Sequence, residues 1–181
     1  YRYKAEDGLG VDLGRANEVN RGSRADTRRS ANRYLKRINY GNRTPLLDTA
    51  GSRLRFLDRE TIDAQINNSD WMFEVVFDFG EHDINPPTPD DSGEWSYRAD
   101  PHSSYRSGFE VRTTRLCQRV LMFHHFPGEA DVESDCLVRS TDFTYSDVLD
   151  PTDVPNPVYS FLKAVTQTGY RRNNGGYYRA S

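Results

Sequence analysis

Apolar and polar residues alternate most strictly from Trp71 to Phe79. Trp71, Phe73, Val75, Phe77 and Phe79 fall on one face of an extended chain, Glu74 and Asp78 on the other. The pattern predicts a strand with its aromatic face in a core, closed by Gly80. A second apolar stretch runs from Phe109 to Phe126. It opens with Phe109 and Val111 against Glu110 and Arg112, then changes phase near Leu116, so that either Val120 and Met122 or Leu121 and Phe123 face inward. A bulge or a bend between two strands accounts for the slip. The Val, Thr and Phe content, with no preceding cap, argues against a helix.

Shorter strands are predicted at Arg33–Tyr40, closed by Gly41-Asn42, at Leu137–Tyr145 and at Phe161–Tyr170. Tyr1 opens on what already reads as a strand, as expected of a piece excised from a longer chain. Pro86 to Gly93 and Asp150 to Pro157 read as loops, and Asn173-Asn174-Gly175-Gly176 as a turn leading into a final hairpin at Tyr177-Tyr178. Residues 12–30, rich in Arg, Asn, Gly and Ser, have little to bury and read as a flexible or extended loop. Leu54, Leu57, Ile62 and Ile66 are spaced for one short helix. The prediction is a single all-β segment, 1–181, of mainly antiparallel strands with long loops and at most one short helix. No fixed-period repeat marks a propeller or solenoid.

Composition changes this picture little. Tyr and Phe together number 20 in 181 residues of which 28% are charged, so burial relies on rings, which suit sheets. The net charge of −3 excludes an overall nucleic-acid binder. Charge is uneven, however: residues 1–43 carry 11 basic and 5 acidic side chains, a balance of +6 that leaves −9 for the remainder. This basic arm lacks interleaved aromatics for base stacking and reads as a solvated or internally paired surface. No apolar run approaches the length of a membrane span, and no basic-then-apolar signal opens the chain.

Candidate chemistry is sparse. Cys117 and Cys136 read as two buried free thiols, with a single bridge as the alternative. His124-His125 point to opposite faces of a strand, so they do not share a metal; one is expected in the aromatic core and one outside. Glu81-His82-Asp83 at a strand end reads as a polar, solvated turn. One class of ADP-ribosyltransferase combines an Arg, a later Ser-Thr-Ser strand and a Glu-x-Glu turn. Here Arg139-Ser140-Thr141 is contiguous, Asp142 replaces the third Ser and no Glu-x-Glu follows, so the match is accidental. Ser103 to Phe109 combines aromatic, Arg and hydroxyl groups and reads as a turn leading into a strand, with sugar or peptide binding as the alternative. No catalytic, cofactor-binding or metal residues are assigned.

The residues that carry most information are Ser104-Tyr105-Arg106-Ser107-Gly108-Phe109-Glu110-Val111-Arg112-Thr113, continuing through Arg115 to Phe126. They resemble the hallmark stretch of the B component of bacterial insecticidal toxin complexes, related to the Salmonella virulence plasmid B protein. Three further blocks agree in order: Tyr3–Asp7 with Ala31–Ile38 and Tyr40-Gly41-Asn42; Phe73–Asp78 with Gly80-Glu81-His82; and Leu137–Phe143. The resemblance implies the middle region of a secreted toxin protein, beside or within an RHS/YD-type β shell. That shell is built with a C component, encloses a toxic polypeptide and docks on a pore-forming A component. The implied partners are therefore the rest of the parent chain and the C and A components. The tandem YD repeat itself is absent here.

Two other functions remain open in the sequence. One is a glycan- or protein-binding module using Trp95, Tyr97, Tyr105 and Arg106. The other is an enzyme, which requires His82, Asp83, His124 or Glu129 to converge in one cleft.

Overall fold

A computed structural model describes the chain except residues 24, 46, 49, 54–70, 84, 86, 147–158, 174, 175 and 181. Seven antiparallel strands form one open sheet in the order β1-β2-β3-β6-β7-β8-β9. They are β1 (Arg2–Ala5), β2 (Arg33–Asn42), β3 (Trp71–Asp78), β6 (Arg119–Phe126), β7 (Glu133–Tyr145), β8 (Leu162–Asn173) and β9 (Gly176–Ala180). β4 (His102–Ser104) and β5 (Val111–Thr113) make a separate two-stranded hairpin. The expected all-β, antiparallel class is observed. Among the described residues the one helical element is a 3-10 turn at Thr27–Ser30, capped by Asp26, whose side chain accepts from Arg28 N. The expected helix at 54–66 and the loop at 150–157 lie outside the described residues.

The strands of the large sheet lie side by side in the order in which they occur along the chain, but two connections leave the sheet before returning to it. Residues 6–32 separate β1 from β2, and residues 79–118 separate β3 from β6. The phase slip near Leu116 marks the passage from the small sheet to the large one. Of the two registers open in the sequence, Leu121 and Phe123 are the buried pair, with Val120 and Met122 half-buried.

The β3 strand corrects its sequence reading. Glu74, Val76 and Asp78 are buried, whereas Phe73, Val75 and Phe77 are only half-buried. The alternation is real, but the face bearing the acids is the better covered one. Val76 packs with Leu121, Phe123 and Leu137 beneath Tyr170 and Tyr177. The acids tolerate burial because each has a cation: Arg37 reaches Glu74 at 2.8 Å and Arg119 reaches Asp78 at 2.6 Å. On the opposite face a second core joins Tyr34, Phe79 and Trp95 as edge-on rings, flanked by Phe77 and Cys117.

Candidate functional site

The two excursions meet at the Tyr34–Phe79–Trp95 end of the sheet, and ion pairs join them. Arg115, fully buried, donates to both carboxylate oxygens of buried Glu6 at 2.5 and 3.0 Å, to Trp95 O at 2.9 Å and to Leu9 O at 2.8 Å. Its guanidinium lies 4.4 Å from the Trp95 ring centroid, and Lys4 Nζ lies 4.2 Å from it. Trp95 Nε1 donates to Asp7 at 3.0 Å.

Beside this, Glu18 is 0% exposed and receives Arg21 at 2.9 Å, Arg29 at 2.6 Å and Arg112 at 2.6 Å. Burial pushes the Glu18 carboxyl up, but hydrogen bonds from Arg29 and Arg21 and the charge of Arg112 outweigh it and hold the group below its ordinary value. The basic arm thus buries the ions Glu18 and Arg29 as well as the apolar Val11 and Tyr34. Residues 12–30, expected to have little to bury, are pinned through Glu18 and Arg29 because one carboxylate organises three guanidinium groups.

The Glu81-His82-Asp83 turn is not solvated as expected, since Glu81 and His82 are buried and only Asp83 is exposed. Lys36 Nζ bonds Glu81 Oε1 and, at 2.7 Å, Phe77 O. His82 Nδ1 faces Thr88 O at 3.0 Å, while Nε2 lies 3.2 Å from Asp91 and 3.3 Å from Lys36 Nζ. That contact with His82, foremost, lowers the Asp91 carboxyl. Asp78, Glu81 and His82 bring ligand-type atoms within 4.8 Å of one another, a grouping the sequence reading missed because Asp78 belongs to the preceding strand. Lys36 already lies on Glu81 and Arg119 on Asp78, so the group is an internally neutralised ion cluster.

The two histidines do part to opposite faces. His124 joins Phe73 and Phe126 in an aromatic cluster, at 5.0 and 5.9 Å between centroids, and burial lowers its pKa. His125 is not outside. Its Nε2 lies 3.2 Å from Glu74 on β3 and its Nδ1 3.0 Å from Asp135 on β7, and Glu74 foremost raises its pKa. Neither acid neighbours it in sequence, so only strand register reveals the clip.

The remaining candidates are separated. Along β7, Arg139 is exposed and Ser140 is buried against Asp142 at 2.6 Å and Tyr170 OH at 3.2 Å. Cys117 and Cys136 are both free thiols; burial pushes Cys117 up to about 11 and also raises Cys136. His82 follows the Asp78 end of β3, which pairs with Arg119, whereas Glu129 follows Phe126 at the other end of β6. His82, Asp83, His124 and Glu129 therefore do not converge. Nor do the four residues of the binding reading: Trp95 is 3% exposed, Tyr97 is half-buried on Glu18, and Tyr105 and Arg106 stand in solvent on the β4–β5 turn.

The fold is an open antiparallel β sheet braced by buried ion pairs, in which His82, His125 and Ser140 are each bonded to neighbouring groups. The chain belongs to the family described as Salmonella virulence plasmid 65kDa B protein, whose profile matches residues 1–126. It is 38% identical over 183 aligned positions to the mono(ADP-ribosyl)transferase SpvB of Salmonella typhimurium strain 14028s, and equally to that of Salmonella choleraesuis. The alignment takes in 99% of this chain and 26% of theirs, so the chain spans about a quarter of these relatives.

Among solved structures it superposes on the N-terminal domain of the effector SpvB from Salmonella typhimurium strain LT2. The TM-score is 0.67 at 36% identity, over 94% of this chain and 46% of that one. It also superposes on the TcdB2-TccC3 complex with TM-score 0.65 at 31% identity, over 99% of this chain and 8% of that one. A TcdB2-TccC3-Cdc42 structure gives 0.66 at 29% identity, with the same shares covered. Among the described residues no helix is long and apolar enough to cross a membrane.

Proposed function

We propose that this chain is a non-catalytic structural segment of a secreted bacterial toxin-complex B component, helping to form the shell that encloses and delivers a toxic polypeptide. The observation that carries the reading is the superposition of 99% of the chain on the TcdB2-TccC3 assembly at 31% identity. Burial of the Glu6, Glu18 and Glu81 carboxylates in ion pairs supports a framework role, because groups held in this way are withdrawn from substrate chemistry. The partners are the rest of its own polypeptide and the C and A components. It takes no cofactor and acts through no catalytic residue of its own. The alternative of a glycan- or protein-binding module loses its main aromatic, because Trp95 is covered by Arg115 and Lys4.

The test is co-expression of the complete polypeptide with its C-type partner, followed by limited proteolysis of the partner's toxic segment. Phe123→Asp, which places a charge in the Val76–Leu121–Leu137 core, is expected to abolish protection of that segment. Full protection by a variant whose sheet has unfolded sinks the shell role. NAD-dependent labelling of a target protein by this chain above background sinks the non-catalytic part.

A further inference from the structure

The β4–β5 hairpin presents a solvent-facing tip on a fixed base. Tyr105 is 67% and Phe109 58% exposed, with exposed Arg106 between them. Gly108, at φ +82°, donates its N–H to Tyr105 O at 3.0 Å and closes the turn. The base is fastened on both strands. Ser103 Oγ donates to Glu110 at 2.6 Å, Arg21 grips Glu110 at 2.8 Å, and Arg112 donates to Ser103 Oγ at 3.1 Å while pairing with buried Glu18.

Two features separate this tip from an ordinary surface turn. Two large rings left in water are unfavourable by roughly 25 cal/mol per Å² of apolar surface until something covers them. A pre-ordered base also lowers the entropy lost when that happens. The second feature is charge. Arg21, Arg98 and Arg112, around the base, are each paired with a carboxylate, whereas among the described residues the Arg106 guanidinium has no side-chain partner. Tyr, Arg and Phe are enriched at the centres of protein interfaces. At the end of the hairpin away from the tip, a groove of about 480 Å³ walled by Asn17, Pro101, His102 and Tyr159 offers a second contact surface.

We propose that the hairpin is a docking finger. Tyr105, Arg106 and Phe109 seat in an apolar, carboxylate-rimmed depression on another region of the longer polypeptide that carries this segment. The inference rests on the toxin-shell reading. The choice of the same chain as partner follows from the relatives. The fold fills 46% of the SpvB domain chain and 8% of the chain in the TcdB2-TccC3 structure, and what these two settings share is further chain.

The test uses the complete polypeptide with p-benzoylphenylalanine replacing Tyr105, photolysed and mapped by mass spectrometry. The expected result is cross-links to the same chain outside these 181 residues, and a cross-link yield roughly tenfold lower in Arg106→Glu, since charge reversal opposes a carboxylate rim. Cross-links confined to the C component, to a second copy or to residues 1–181 overturn the proposal. So does the absence of cross-links, or a yield indifferent to Arg106→Glu. Co-purification with the C component is scored on the same material. Its loss with cross-links intact counts against the shell reading alone, and its retention with cross-links absent counts against the finger alone.

Discussion

At the scale of single residues, the protein is held together by charges that sequence inspection places on its surface. Arg115 and Glu6 are the clearest case, because both are buried and the guanidinium also satisfies two backbone carbonyls. Arg115→Met strands the Glu6 carboxylate without its cation, and a loss of about 3–5 kcal/mol is expected in urea unfolding. Adding Glu6→Leu removes the stranded charge and recovers part of that loss. A single-variant effect below about 1 kcal/mol is incompatible with this account.

His125 gives a pH signature. Its pKa is raised in the fold, with Glu74 on β3 and Asp135 on β7 facing it and Arg37 on β2 sharing Glu74. Its contribution is therefore fully present below the unfolded histidine value and is lost as pH rises through the higher folded value. His124, lowered by burial, has the opposite sign and destabilises the fold as pH falls through the unfolded value toward its lower folded one. Denaturant midpoints measured from pH 5 to 9 are expected to lose their alkaline decline in His125→Gln and their acidic decline in His124→Gln. Unchanged profiles in both variants contradict the assignment.

At the scale of elements, the positions of the principal strands were legible, because period-2 patterning survives wherever a sheet has two distinct faces. Trp71–Phe79, Arg33–Tyr40 and Leu137–Tyr145 were readable for that reason. What was not legible was which face is better covered. In β3 the acids Glu74 and Asp78 lie in the interior, because Arg37, His125 and Arg119 come to them from β2 and β6. Hydropathy assigns acids outward and has no means of counting partners from other strands.

The left-handed position within β2 is likewise local in cause and tertiary in purpose. Gly41 has φ +68°, and a Cβ there meets the Phe73 ring at 2.7 Å. Gly41→Val is expected to cost roughly 1–3 kcal/mol and to disturb the Tyr40–Phe73 stack, now 5.1 Å between centroids. Thermal unfolding together with the near-ultraviolet dichroism of these rings checks it, and a variant as stable as the parent contradicts it.

At the scale of the whole molecule, the sheet is open. Among the described residues β1 and β9 each have one strand neighbour, and Tyr3 and Tyr178 on them are largely exposed. An unpaired edge recruits further strands. The 181-residue chain by itself is therefore expected to self-associate at micromolar concentration, and Tyr3→Lys with Tyr178→Lys to shift it toward monomer in sedimentation velocity. A parent chain that stays monomeric removes the edge argument.

The sequence by itself determined the all-β class, the positions of the principal strands, the separation of His124 from His125 and, through the run from Ser104 to Phe126, the family. These are properties of side-chain alternation and of residue identity at short range. Only the tertiary structure decided that the basic arm is pinned by Glu18, that Glu81 and His82 are buried beside Lys36, that Trp95 is covered while Tyr105, Arg106 and Phe109 are presented, and that His125 lies between two carboxylates. These depend on groups far apart in sequence, brought together by the return of the two excursions, as Glu18 and Arg112 are, or by strand register, as Glu74, His125 and Asp135 are. The free energy of a buried charge is set by the partners that arrive, and no local pattern encodes them.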